Sequence, residues 1–243
     1  MASKGLVAFD IDGVIRDVSG SYRRAIMDTV EHFGGCRPTM GQIDDLKSEG
    51  IWNNDWRCSE ELLRRQNVTL PDYEHLVAYF QSRYLGEPPG SGYIASEPLL
   101  VEAEHFLALE VAGYAWGFFS GADRYSALQV LEKRLKLVAP PLVAMHEAPE
   151  KPDPTGLLQL CDALGPFDRI WYLGDTVADM QTVQRATSIR PGVTFIAIGI
   201  LPPHVRPTAK AAHYVQQLRA AGALNVWEHF PPAARLIARL EER

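Results

Sequence analysis

Cysteine is scarce and unpatterned in this sequence. Cys36, Cys58 and Cys161 are an odd number without a CxxC pair, which excludes a disulfide framework and a structural zinc site of that spacing and fits a reducing compartment. Long apolar runs are missing as well: Val193 to Leu201 has the length of a strand, not the roughly twenty residues of a membrane span. The apolar run in MASKGLVAFD is too short for a signal peptide, so the expected address is cytoplasmic, without a membrane partner. Basic charge is in deficit, with 24 Lys+Arg against 30 Asp+Glu. A net charge of −6 argues against a broad cationic surface for nucleic acid. The seven histidines form no HExxH or similar metal-ligand spacing.

What the sequence does contain is a series of short apolar runs, beginning with Leu6-Val7-Ala8-Phe9 and recurring at Tyr114 to Phe119, Leu142 to Met145, Ile170 to Leu173 and Val193 to Ile200. Uninterrupted runs of this length read as central strands of a parallel sheet covered on both faces. Each is followed by polar or glycine-containing residues and then a plausible helix, which is the βαβ rhythm of a doubly wound α/β domain. In such sheets ligands bind at the carboxyl ends of the strands, so the residues just after each run are the first candidates for chemistry.

About a hundred residues separate the first two strands. Within them Tyr22, Ile26, Val30 and Phe33 recur at helical spacing, as do Tyr73, Leu76, Val77, Phe80 and Tyr84, and Ser59 is a candidate N-cap for a helix through Leu62 and Leu63. Val18-Ser19-Gly20-Ser21 and Gly86-Glu87-Pro88-Pro89-Gly90-Ser91-Gly92 punctuate the two ends. The expected organisation is an α/β core of residues 1–16 and 93–243 with an all-helical insert at 17–92.

Four short segments sit at the expected strand ends. Asp10-Ile11-Asp12-Gly13 places two carboxylates two residues apart. Such a pair reads as a solvated turn, or as two groups whose repulsion lets an ionised nucleophile and a protonatable acid coexist. Ser120-Gly121 offers a hydroxyl and backbone N–H groups to an anion, though Ser-Gly is also ordinary turn chemistry. Lys151, in Glu150-Lys151-Pro152-Asp153-Pro154, offers an ammonium that neutralises a nucleophile and a phosphate together. Asp175 and Asp179, in Gly174-Asp175-Thr176-Val177-Ala178-Asp179, form a second acidic pair with the hard oxygens that Mg²⁺ prefers.

In order, spacing and context, AFDIDGVI, FFSG, EKPDP and YLGDTVADM resemble the four motifs of the haloacid dehalogenase superfamily, in its phosphatase branch with a helical cap inserted after the first motif. The resemblance covers about residues 4–16 and 93–225, and the insert matches the cap in location. It implies a Rossmann-like core and a Mg²⁺-dependent phosphohydrolase of a small phosphorylated metabolite, such as a sugar or organic-acid phosphate. Asp10 would be the nucleophile that forms an aspartyl-phosphate, and Asp12 the general acid and base. Mg²⁺ would be held by Asp10, the backbone carbonyl of Asp12, and Asp175, with Asp179 acting through water or behind the ligands. Ser120, the Gly121 amide and Lys151 would hold the phosphoryl group. A phosphomutase and a non-catalytic binding or assembly protein on the same scaffold are the alternatives, and a monomer or homodimer is expected.

Substrate choice in such enzymes resides in the cap. Gly50-Ile51-Trp52-Asn53-Asn54-Asp55-Trp56-Arg57 concentrates amides, a carboxylate and a guanidinium, making Asn53, Asn54, Asp55 and Arg57 candidates for substrate contact. Equally, the tryptophans pack into the cap while Asn53 and Asn54 cap the next helix. Arg16 either faces the substrate or anchors the hinge. Arg124 is a weaker candidate in the first turn after Ser120.

Overall fold

Leu6, Val7, Ala8 and Phe9 are all buried, which a strand achieves only when both faces of its sheet are covered. In the computed structural model, which describes residues 3–49, 51–52 and 54–242, they form β1 (Leu6–Phe9), a central strand. Its parallel partners are β2 (Ala115–Phe119), β3 (Leu142–Val143), β4 (Arg169–Gly174), β5 (Thr194–Ile200) and β6 (Asn225–Trp227), in the order β3-β2-β1-β4-β5-β6. The chain winds outward from β1 through β2 to β3, then restarts at β4 on the other side of β1. The crevice outside the carboxyl ends of β1 and β4 is therefore the topological switch point. Two differences from the sequence reading stand out. The third run pairs over only two residues, and β6 escapes detection because Asn225-Val226-Trp227 is too short and too polar to register as an apolar run.

The chain divides into a unit of residues 1–17 and 99–243 and a second unit, Val18–Pro98. The second unit contains α1 (Tyr22–His32), α2 (Met40–Ser48), α3 (Asp55–Arg65) and α4 (Tyr73–Tyr84), packed around Ile26, Val30, Ile43, Leu62, Leu63, Leu76, Phe80 and Ile94. Its far boundary lies beyond the expected residue 92 because a 3₁₀ turn at Tyr93–Ser96 buries Ile94 in this same core. Ser59 is not an N-cap. Asn54 opens the helix a full turn earlier, accepting from the Trp56 and Arg57 amides, and the Ser59 hydroxyl donates within the helix to the Asp55 carbonyl. The helix at Met40–Ser48, which the periodicity did not reveal, starts with a reciprocal capping box between Thr39 and Gln42.

In the first unit the helices are α5 (Ala103–Ala112), α6 (Arg124–Leu128), α7 (Thr155–Leu164), α8 (Val177–Ile189), α9 (Ala211–Ala220) and α10 (Ala233–Glu241). The period of two along the strands sorts their side chains into two cores. Val7, Phe9, Trp171, Leu173, Ile198 and Ile200 face Phe106 and Leu109 of α5 and Leu236 and Leu240 of α10. Leu6, Ala8, Ile170, Tyr172 and Ala197 face Leu157 and Leu160 of α7, Met180 and Val183 of α8, and Leu218 of α9. The buried Trp171 indole donates to the Leu240 carbonyl at 2.9 Å, tying α10 to the sheet. No helix among the described residues is long and apolar enough to cross a membrane.

Candidate active site

Register places the acidic motifs side by side. Phe9 is level with Leu173 of β4 and Phe118 of β2, and the Asp10 amide donates to the Leu173 carbonyl at 2.8 Å, so Asp10 leaves β1 beside Gly174. Asp175 follows immediately and Asp179 lies in the first turn of α8. Oxygens of Asp10, Asp175 and Asp179 lie within 4.8 Å of one another, the one such acidic cluster among the described residues. Lys151 sits among them, its Nζ 2.9 Å from Asp10 Oδ1 and 2.7 Å from Asp179 Oδ1. The ammonium also lies over the Phe119 and Tyr172 rings, at 5.3 and 5.4 Å from their centroids.

Asp179 is fully buried, and three donors converge on it. Oδ1 accepts from Lys151 and lies 3.3 Å from the Tyr172 hydroxyl, which donates to the Phe119 carbonyl at 2.8 Å; Oδ2 accepts from the Thr176 amide at 2.9 Å and the Thr176 hydroxyl at 2.6 Å. With its lone pairs engaged in this way, Asp179 orients Lys151 rather than offering a free ligand oxygen, although it falls within the acidic cluster. Thr176 caps α8 in return, accepting from the Asp179 amide. The capping-box spacing Thr176-x-x-Asp179 was legible in the sequence. Tyr172 was not, because a tyrosine in a buried strand reads as core until its hydroxyl is located. The same holds for Tyr214 of α9, whose hydroxyl donates to the Asp175 carbonyl at 2.9 Å.

The local charge is unbalanced, with three carboxylates around one ammonium. The Asp10 carboxyl is raised from its ordinary 3.8 to about 6, chiefly by burial, with Lys151 opposing the rise and Asp179 and Asp12 adding to it. Asp175 is raised well above the carboxylate range, first by burial and then by Asp179 and Asp10. For Lys151 burial acts to release the proton, but the attraction of Asp10 and Asp179 outweighs it and holds the ammonium above its ordinary value. Gly13 completes the cluster at φ +76°, where a Cβ would overlap the Asp175 carboxylate. The first motif therefore packs against the fourth through a residue without a side chain.

Ser120 is buried at the end of β2, its amide donating to the Val143 carbonyl and its hydroxyl accepting from the Ala122 amide. Gly121 follows at an exposed bend with open space where a Cβ would stand. The helix after them, α6, is capped by Asp123, which accepts from the Ser126 amide, and runs on directly into a π-helical stretch, Gln129–Arg134. Arg124 is committed elsewhere, to Glu147 and to the Leu142 carbonyl at 3.0 Å.

Arg16 is 1% exposed. Its Nε donates to Asp12 Oδ1 at 2.7 Å and its Nη2 to the Ser126 hydroxyl at 3.0 Å, both within the first unit. The segment Trp52–Arg57 is similarly self-satisfied within the helical unit. Asn54 is an N-cap, Asp55 pairs with Lys47 at 2.6 Å, Arg57 pairs with Glu60 and stacks on the Tyr73 ring, and the Trp52 indole donates to Glu49. The packing and capping roles are thus present for these residues; Asn53 lies outside the described residues.

Over 192 residues, 76% of this chain, the sequence is 31% identical to imidazoleglycerol-phosphate dehydratase of Phytophthora nicotianae, of whose length the chain spans 42%. Among solved structures, a predicted phosphoglycolate phosphatase from Haemophilus somnus shares the fold with a TM-score of 0.73 at 15% identity, covering 99% of this chain and all of that one. A candidate β-phosphoglucomutase from Thermotoga maritima does so with a TM-score of 0.66 at 17% identity, covering 98% of each chain. A family model for hydrolases of the haloacid dehalogenase-like type matches residues 5–187, spanning all four strand-end motifs gathered at the switch point. The chain belongs to the haloacid dehalogenase-like hydrolase family.

Proposed function

We propose that this hydrolase is a Mg²⁺-dependent phosphatase of small phosphate monoesters, working through an aspartyl-phosphate on Asp10. The observation that carries the reading is the convergence of Asp10, Asp175 and Asp179 on Lys151 at the carboxyl ends of β1 and β4. The donor set fits a hard dication: buried carboxylate oxygens in excess over the one ammonium, with Asp175 facing Asp10 and Asp179 already saturated by protein donors. Asp10, the Asp12 carbonyl and Asp175 would hold Mg²⁺, which when bound neutralises the carboxylates and the phosphate and favours the ionised nucleophile.

The residues divide the chemistry between them. An Asp10 oxygen attacks phosphorus while the bond to the ester oxygen breaks, and Asp12 delivers a proton to the departing alcohol. Water then attacks the phosphorus of the aspartyl-phosphate, Asp12 takes its proton, and the bond to Asp10 breaks to release phosphate. Lys151, fixed by Asp179, balances the anionic phosphoryl group together with the Ser120 hydroxyl and the Gly121 amide, a role of positioning and electrostatics. The position of Gly121, where open space adjoins the backbone, supports an approach this close.

A phosphomutase shares every one of these steps except the acceptor, and the fold likeness to the Thermotoga protein keeps it as the second reading. The dehydratase relative suggests a subset of substrates worth including, imidazole-bearing phosphate monoesters, because removing water from imidazoleglycerol phosphate leaves its phosphate in place. The test is phosphate release from a panel of sugar, organic-acid and imidazole-bearing phosphates, with and without Mg²⁺, beside Asp10→Asn protein. Mg²⁺-dependent release by the wild type alone is expected. Release by Asp10→Asn at more than a few per cent of wild type refutes the covalent route, and isomerised phosphate ester in place of free phosphate favours the mutase.

A further inference from the structure

We infer that Arg16 is a positioning residue for proton transfer, fixing the Asp12 carboxylate by clamping it to Ser126 of α6; this rests on the acid and base role proposed above for Asp12. The clamp is specific. Arg16 Nε meets Asp12 Oδ1 at 2.7 Å and Nη2 meets Ser126 Oγ at 3.0 Å, in a guanidinium that is almost wholly buried. The planar fork sets the direction of both contacts, which a lysine ammonium does not.

The backbone around the clamp is equally constrained. Gly13 N donates to the Arg16 carbonyl at 2.9 Å, Ile15 and Arg16 N both donate to the Ile11 carbonyl, and Leu100 N donates to the Ile15 carbonyl. Arg16 is also bridged antiparallel to Leu99. Asp12 itself is 39% exposed at the side chain, so without a partner it would sample several rotamers at the mouth of the site. With Oδ1 engaged by Arg16, Oδ2 is the oxygen presented for proton exchange.

Stability alone is a poor reason for the arrangement. Burying the guanidinium costs desolvation that its half-exposed carboxylate partner repays only in part, and an apolar side chain of similar volume usually serves a fold as well or better. A charge retained 1% exposed next to the acid/base carboxylate is accounted for by what it does to that carboxylate. Ser126 extends the effect. It is buried, in the helix that follows Ser120-Gly121, so the same guanidinium ties the proton-transferring group to the segment that would hold the phosphoryl group.

Leaving-group dependence separates positioning from mere structure. Departure of a poor leaving group needs the proton that Asp12 supplies, whereas p-nitrophenolate departs with little help. For Arg16→Met, kcat/KM should fall by about 10²-fold or more on phenyl and alkyl phosphates and by less than about 10-fold on p-nitrophenyl phosphate. Arg16→Lys should recover part of the difference, and Ser126→Ala should show a weaker form of it. Asp12→Asn should show the same selectivity, and adding Arg16→Met to it should cost little more, because the two act as a unit. Equal losses on all esters by Arg16→Met and Arg16→Lys, additive with Asp12→Asn, overturn the positioning role while leaving the phosphatase reading intact. If Asp12→Asn itself shows no selectivity, it is the assignment of Asp12 as the acid that fails. Should Arg16→Met not fold, Arg16→Lys and Ser126→Ala decide the question by the same comparison.

Discussion

Replacing the proposed nucleophile by its neutral isostere should make the metal-free protein more stable. Asp10 is 6% exposed, and its carboxyl is raised from 3.8 to about 6, chiefly by burial and despite Lys151. At roughly 1.4 kcal/mol per pKa unit, the ionised form is disfavoured in the folded state by about 3 kcal/mol. A buried carboxamide carries a desolvation cost of its own, on the order of 1–2 kcal/mol, leaving an expected net gain of about 1–2 kcal/mol for Asp10→Asn. For a chain of this size that corresponds to roughly 2–8 °C in Tm. The sign follows from counting protons. Because the folded pKa lies above the unfolded one, the native protein holds a proton between pH 3.8 and about 6 that the unfolded chain has released, so this group's contribution falls across that window and stays low above it. The gap between variant and wild type should therefore be full at pH 7.5 and close as the pH falls towards 4. Urea denaturation in EDTA at both pH values reads it directly, and added Mg²⁺ should stabilise the wild type more than the variant. If Asp10→Asn is the less stable protein in EDTA at pH 7.5, attraction by Lys151 outweighs burial and the electrostatic account of the site is wrong.

Three other perturbations probe the same cluster. Lys151→Met leaves Asp10, Asp175 and Asp179 without their cation; it should destabilise the metal-free protein by about 3–5 kcal/mol and abolish turnover, and a variant that melts with the wild type would refute the ion-pair assignment. Thr176→Val removes both the cap of α8 and the hydroxyl donor to Asp179 while keeping the amide donor, with an expected cost of about 1–2 kcal/mol by denaturation and a drop in kcat that exceeds any change in KM. Gly13→Ala puts a side chain at φ +76° against the Asp175 carboxylate, so the Mg²⁺ concentration for half-maximal activity should rise by at least about 10-fold; an unchanged metal requirement would remove Asp175 from the metal site.

The sequence determined most of the architecture because the relevant physics is local or periodic. A strand buried on both faces must be apolar throughout, and Leu6–Phe9 and Ile170–Leu173 are; amphipathic helices repeat every three to four residues, as Tyr22–Phe33 and Tyr73–Tyr84 do. Where pairing rather than periodicity decides, it was silent. β6 is too short to carry a pattern and depends on β5 for its existence, and α2 is held by a capping box more than by an apolar stripe. The strand-end motifs named Asp10, Asp12, Lys151, Asp175 and Asp179, since chemistry restricts residue type. Their partnership, however, belongs to the tertiary structure: Lys151 and Asp179 lie 28 positions apart, and only the register of β1 with β4 brings Asp10 to both. The same is true of Arg16, whose sequence position beside the first motif allowed either substrate contact or anchoring. The tertiary structure buries it against Ser126, 110 residues away, because a guanidinium withdrawn from water goes where its hydrogen bonds are made.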